Sequence, residues 1–293
     1  MFVRFQIRLA DRLPLIMTRE PIDKTLKMYV GGAFIRSESG RTEPVGGRLR
    51  ACRASRKDLR GAVEAAAKAQ PGWAGVTAYL RGQIVYRIAE MLESRREGFI
   101  ALLGDNGATE LDASIDLLVS AAGWADKHQQ ILGTANPVAG PYHNFTVSEA
   151  VGVVGIVCPD EPSLLGLVAL VASTILSGNT AVALASETNP SPAAEFAEVL
   201  ATSDVPAGVV NILTGFREEL APHFSSHREI AGLIAAGIDS ETRRTLELGA
   251  AENLKRVHVI ESPIDPSDWQ SAIGPGAIER TLEFKTIWHP SSA

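Results

Sequence analysis

The sequence predicts an α/β protein built on a doubly wound parallel sheet with helices ahead of it. Three observations predict that class. Beyond Pro159, short apolar and β-branched runs at 181–183, 209–213, 233–235 and 257–260 alternate with helix-length segments, the pattern of strands buried on both faces. Ahead of them, residues 80–103 and 109–132 carry apolar side chains at helical spacing. Glycine pairs and Pro-Gly steps punctuate the joins between these segments.

Taken in order, residues 1–27 read as a tail, either disordered or an over-called start. Arg4, Arg8 and Arg12 recur among Phe2, Phe5, Ile7 and Leu9 as in an amphipathic targeting helix, but Asp11 and Glu20 argue against one, and Met17 or Met28 offers a later start. From Met28 two short strands flank Gly31-Gly32, a two-residue hairpin signal, and Gly46-Gly47 marks a second turn. Asp58 is read as capping a helix that runs through Lys68 and ends at Pro71-Gly72. Residues 80–103 follow as one helix with Ile84, Ile88, Met91, Leu92 and Phe99 on its stripe, and 109–132 as another with Leu111, Ile115, Leu118, Ala122 and Trp124.

After Gly133 the period changes, and residues 142–147 and 150–157 read as extended strands. Residues 164–176 are apolar but include Ser173 and Thr174 and fall short of the roughly 20 residues a bilayer requires, so a buried helix is expected and no membrane span. Ser191-Pro192 supplies a helix cap followed by proline, Pro206-Ala207-Gly208 closes that helix, and Asp239-Ser240-Glu241 opens the next.

Composition narrows the function. A net charge of -6 without a clustered basic face excludes non-specific nucleic-acid binding. The two cysteines, Cys52 and Cys158, lack CxxC or zinc spacing, which suits a reducing, cytoplasmic setting. His223 and His227 stand at i, i+4 without a third ligand and read as structural, so no metal site is expected.

Several ordered motifs then carry a resemblance. The run Glu149-Ala150-Val151-Gly152-Val153-Val154-Gly155-Ile156-Val157 resembles the strand pair that enters the cofactor domain of aldehyde dehydrogenases. Ser177-Gly178-Asn179-Thr180-Ala181-Val182, Ser186-Glu187, the segment from Pro206 to Gly215, and Leu254-Lys255-Arg256-Val257 follow in the family's order. Residues 29–40 and 65–73 are similar, more loosely, to its opening hairpin and first helix. Arg280-Thr281-Leu282-Glu283-Phe284-Lys285-Thr286-Ile287-Trp288 is similar to the strand with which such enzymes finish. The resemblance implies an aldehyde dehydrogenase cofactor-domain-like sheet with a β oligomerisation arm. Residues 28–133 and 151–262 would form the dinucleotide-binding-like domain, 134–150 and 281–293 the oligomerisation strands, and 263–280 a connector standing where the family carries its catalytic lobe. The degenerate C-terminal repeat of two-repeat aldehyde dehydrogenases, which lacks the nucleophile, is similar in this respect.

Set against the chemistry of aldehyde oxidation, the implied site is incomplete. The family's Pro-Trp-Asn oxyanion donor falls on Pro159-Asp160-Glu161, and an ionised glutamate cannot donate. The base position falls on Ile260. Leu246-Glu247-Leu248-Gly249 looks like the base motif but precedes Leu254-Lys255-Arg256-Val257, and Glu261 is one residue off. Cys158 occupies a threonine position and reads as a buried structural thiol, as does Cys52 in a basic loop-like stretch. No catalytic residue is therefore expected. For the cofactor, Lys-Pro-Ser-Glu becomes Leu184-Ala185-Ser186-Glu187 and Thr-Gly-Ser becomes Ala236-Gly237-Ile238. Ser186, Glu187, Gly215 and Gly237 remain as residual cofactor positions, implying no NAD(P) or weak NAD(P) binding.

The expectation is a non-catalytic subunit that associates with a full-length aldehyde dehydrogenase, or with itself, through its terminal and hairpin strands. The competing expectation is an NAD(P)-dependent aldehyde oxidoreductase whose active site a partner chain completes.

Overall fold

The structure, a computed structural model, describes residues 22–291. The arginine-bearing segment that could resemble a targeting helix lies outside the described residues. Within the expected tail, however, Lys24–Leu26 (β1) forms a parallel pair with a later strand, so order begins earlier than residue 28.

The glycine hairpin forms as expected: Met28–Val30 (β2) and Ala33–Ile35 (β3) pair antiparallel around Gly31 and Gly32, both at positive φ. Thr42–Gly46 (β4) and Leu49–Cys52 (β5) make a second hairpin, and β1, β5 and β4 constitute a small sheet. Cys52 thus ends a strand and is buried rather than lying in a loop.

Helix α1 spans Arg56–Ala74 and corrects the predicted start and stop. Ser55 is the N-cap, with Asp58 returning the bond from the third helical position, so the two residues close a reciprocal capping box. The helix continues through Pro71 because Trp73, buried, donates its indole N–H to the Ile175 carbonyl at 2.8 Å and pins the last turn to the core.

The two long predicted helices are each broken. Ala78–Glu93 (α2) and Arg96–Leu103 (α3) meet at a non-helical Arg95, whose guanidinium reaches Glu195 at 2.8 Å. Gly107–Trp124 (α4) and His128–Leu132 (α5) are separated by a turn that carries His128 into the core, its Nδ1 at 3.1 Å from the Trp124 carbonyl. Both breaks let an apolar stripe turn a corner and keep contact with the same core.

Next come Thr134–Asn136 (β6), Tyr142–Ala150 (β7) and Val153–Val157 (β8), then a helix, Ser163–Ile175 (α6), that is buried at every position. Thr180–Leu184 (β9), Ser191–Ala201 (α7), Val210–Leu213 (β10), Arg217–Ser226 (α8), Ile230–Ala236 (β11), Ser240–Ala251 (α9) and Arg256–Ile260 (β12) complete the alternation. Helix α7 is preceded by Pro190, and Ser191 makes no side-chain cap.

The main sheet has seven strands in the order β12-β11-β8-β9-β10-β2-β3, parallel from β12 to β10, with the β2–β3 hairpin added antiparallel at its far edge. Strand residues alternate between two cores. Val154, Ile156, Ala181 and Ala183 pack toward α6, α7 and the α2–α4 layer, whereas Val153, Val157, Val182 and Leu184 pack toward α1, α8 and α9.

Residues 261–281 connect β12 to the last strand through a short 3-10 turn at Pro266–Ala272 and a one-turn helix, Pro275–Glu279 (α10). Leu282–Pro290 (β13) then pairs antiparallel with β7 along its whole length, and β6 flanks β7 on the other side, giving a separate three-stranded sheet.

Candidate functional site

Strands β8 and β11 lie side by side, yet the chain leaves β8 in one direction for β9 and β10 and crosses back to β11. This is a topological switch point, and in such sheets ligands bind in the crevice beyond the carboxyl ends of the strands. Four loops meet there: Cys158–Glu161 after β8, Ala185–Thr188 after β9, Thr214–Phe216 after β10 and Gly237–Asp239 after β11. The residues carried forward from the sequence, Ser186, Glu187, Gly215 and Gly237, all lie on this rim.

Their groups face the protein itself. The Ser186 hydroxyl donates toward the Asp160 carboxylate at 3.2 Å and accepts from the Asn189 amide at 3.0 Å. The Glu187 carboxylate accepts the amide of Arg217, the first residue of α8. A Cβ on Gly237 would stand 2.8 Å from the Pro159 side chain, and one on Gly215 would stand 3.1 Å from the Ala54 amide, so these glycines admit neighbouring protein.

At the centre stands Arg217, 8% exposed, which sequence reading missed. Its guanidinium donates to Asp160 at 2.7 Å and to the Cys158 carbonyl at 2.8 Å, while its Nε–H has no partner among the described residues. Asp160 also accepts the Glu187 and Thr188 amides at 2.8 and 3.3 Å. Burial pushes the Asp160 carboxyl up, but the Arg217 hydrogen bond and charge, with those amides, outweigh it and hold it below the usual carboxylate value. The one legible signal for Arg217 was a cation on the first turn of a helix, a position the helix dipole disfavours unless a carboxylate answers it.

The helix N-termini along this edge are closed in the same manner. Glu110, from α4, accepts the Leu164 and Leu165 amides of α6 at 2.7 and 3.1 Å. Glu187 closes α8. Asp239 accepts the Glu241 and Thr242 amides of α9 at 2.9 and 2.8 Å. The open part of the crevice, about 440 Å³ between α8 and α9, is bordered by Glu187, Glu218, Asp239 and Glu241 against one guanidinium.

Such a fold implies a nicotinamide dinucleotide, and the donor set does not fit one. A pyrophosphate needs free amides at a helix N-terminus. Here the Leu164, Leu165, Arg217, Glu241 and Thr242 amides already hold carboxylates, and each further like charge at about 4 Å costs on the order of 1–4 kcal/mol.

The catalytic positions are no better supplied. Cys158 is fully buried, and burial pushes its thiol up to about 12, with the Arg217 charge pulling weakly the other way. We predict that Cys158 resists iodoacetamide at pH 8 unless the protein is unfolded. A folded-state value above the unfolded value of about 8.5 also adds stability that is complete below pH 8.5 and disappears as the pH climbs toward 12, which a urea midpoint series should record. Glu161 is exposed. Ile260 ends β12, and Glu261 lies past it, paired with Arg243 at 2.6 Å. Leu246-Glu247-Leu248-Gly249 sits within α9, as its order in the chain had indicated. His223 belongs to α8, and Nδ1 of His227 accepts the Glu229 amide at 3.3 Å. No cluster of metal-ligating side chains occurs among the described residues, and none of their helices is long and apolar enough to cross a membrane.

A doubly wound sheet with a switch-point crevice, joined to a separate antiparallel arm, defines the class as a dinucleotide-binding-type α/β domain. The chain belongs to the aldehyde dehydrogenase family. The model described as "Aldehyde dehydrogenase family" matches residues 41–261. The chain is 30% identical over 262 residues to "Aldehyde dehydrogenase, cytosolic 1" of Elephantulus edwardii, covering 84% of this chain and 52% of that protein. It is 30% identical over 249 residues to "Putative aldehyde dehydrogenase DhaS" of Bacillus subtilis (strain 168), covering 80% and 50%. Its fold superposes on the NAD+ complex of aldehyde dehydrogenase from Bacillus cereus with a TM-score of 0.75 and 26% identity, over 80% of this chain and 50% of that one. The chain thus spans about half the length of the relatives it matches.

Proposed function

We propose that this protein is a non-catalytic aldehyde dehydrogenase-like subunit that assembles through its β13-β7-β6 sheet with a complete aldehyde dehydrogenase or with a second copy of itself. The observation that carries this reading is β13. It is nine residues long, pairs only with β7 among the described residues, and holds out Phe284 and Trp288, 43% and 59% exposed. A long strand with an unpaired edge and apolar side chains is a template for another chain. Tyr142 packs edge-on against Trp288 at 5.8 Å, which stiffens the same face.

Residues 261–281 support the non-catalytic part of the reading, since between β12 and β13 they leave room only for a turn and α10. Two buried cysteines without a disulfide suit a reducing compartment, and we place the protein in the cytoplasm on that ground.

Light scattering of the chain alone and mixed with a complete aldehyde dehydrogenase tests assembly. The same mixture, supplied with aldehyde and NAD+, separates this reading from a split enzyme, because turnover that appears only when two separately inactive chains are combined would favour the split enzyme.

A further inference from the structure

We propose that the chain is its own ligand at the switch point. The carboxylates of Asp160, Glu187 and Asp239 take the guanidinium and amides that the phosphates of a dinucleotide would need, Glu110 closes the α6 N-terminus on the other face of the sheet, and the rim of the crevice is a structural joint. This goes beyond the assembly reading and stands independently of it.

Three features carry the inference. First, each carboxylate takes amides that the fold would otherwise present to an anion: Leu164 and Leu165 on Glu110, Glu187 and Thr188 on Asp160, Arg217 on Glu187, Glu241 and Thr242 on Asp239. A carboxylate accepting several amides is chemically the nearest side-chain stand-in for a phosphate oxygen. Second, the central cation is engaged inward. Arg217 spends both terminal nitrogens on Asp160 and the Cys158 carbonyl, and Asp160 in turn fixes Ser186 and the loop after β9, so one carboxylate ties three of the four rim loops together. Third, the close approaches that glycine permits at Gly237 and Gly215 are filled by Pro159 and Ala54. The joint is anchored partly from outside the sheet, since Glu110 reaches α6 from the N-terminal helical layer.

If Asp160 substitutes for a bound anion, removing it should create an anion site from Arg217 and the freed Glu187 and Thr188 amides. The experiment titrates the full chain with NAD+ and NADP+ by calorimetry, and follows the Tm of wild type and Asp160→Ala in sodium sulfate against sodium chloride at equal ionic strength. Wild type should give no saturable heat up to millimolar nucleotide and only the general rise in Tm that sulfate gives a folded protein by exclusion from its surface, and each variant's gain is read against that rise. Asp160→Ala should melt lower in chloride and recover part of the loss in sulfate. Asp160→Asn, which keeps the shape and removes the charge, should show the same preference for sulfate if the alanine variant is too unstable. Saturable nucleotide binding by wild type overturns the inference, as does a sulfate response no larger in both variants than in wild type. If neither variant folds, the wild-type titration decides alone. None of these results depends on whether β13 finds a partner, so failure here and failure of assembly are distinguishable.

Discussion

Asn179→Ala should cost about 3 kcal/mol of stability, from three lost hydrogen bonds and the buried groups they leave unmet. Asn179 is fully buried just before β9. Its Oδ1 accepts the Gly152 amide, and its Nδ2 donates to the Thr281 carbonyl and the Ser177 hydroxyl, each at 2.8 Å. Gly152 is where the chain passes from β7 to β8, and Thr281 is where it enters β13. One side chain therefore clamps both roots of the arm to the parallel sheet. Alanine would leave the Gly152 N–H without a partner and the Thr281 carbonyl with only the Val151 amide at 3.3 Å. Asn179→Asp keeps the acceptor but loses both donors and turns a carboxylate oxygen toward the Thr281 carbonyl, so it should be at least as damaging. Urea midpoints give the loss, and limited proteolysis should cut the variant near residues 281–290 faster than the rest of the chain. A loss under about 1 kcal/mol would remove Asn179 from this role.

The second large effect is expected at Arg81. This guanidinium is 4% exposed and pairs with no carboxylate among the described residues. It donates instead to the Leu176 carbonyl at 2.9 Å and to the Val76 and Ala74 carbonyls, where α6 and α1 end. A cation is favourable at a helix C-terminus, and here one side chain serves two of them. Burial pulls its pKa below the ordinary arginine value, yet the carbonyls keep the charge supplied with acceptors. Arg81→Met keeps the volume and strands those carbonyls, at a cost of about 3–4 kcal/mol. Arg81→Lys should recover only part, because an ammonium has no planar fork to span both helix ends. As a control, Arg60→Met breaks an exposed i, i+4 pair with Glu64 and should change stability by no more than about 0.5 kcal/mol. Chemical denaturation of the three variants side by side checks the ranking.

Both clamps lie in stretches whose general fold was legible. The parallel strands could be read because β9 and β10 are buried at every position and β11 at all but Ala231, so they appear as mostly apolar runs in which Thr180 and Asn211 are the polar exceptions. Asp239 and Gly31-Gly32 could be read because cap and turn chemistry is local. The helix breaks at Arg95 and after Trp124 could not, since the apolar stripe continues across them and only packing against α7 and the core bends the chain. The sequence alone does not decide between Ser55 and Asp58 as the cap, because both are capping residue types and the fold uses them as one reciprocal box, and Pro71 marks a stop in the sequence although Trp73 secures one more turn beyond it. At the site, the sequence supplied Ser186, Glu187, Gly215 and Gly237, whose common rim follows from ending successive strands. Glu110 was invisible because its partners lie 54 and 55 residues away, and the partners of Arg217 lie on other loops. The acids near Asp160 were visible as charge, but their engagement with helix amides is a property of the folded chain alone.

The central proposal, that the β13-β7-β6 arm joins this chain to another, is tested most directly by molar mass in solution. Size-exclusion light scattering of wild type and of the Phe284→Asp, Trp288→Asp double variant, each alone and mixed with a complete aldehyde dehydrogenase, supplies it. Wild type should appear at twice the chain mass or co-elute with the enzyme, and the variant should run as a single chain in both settings. A single-chain mass for wild type, alone and in the mixture, would contradict the account.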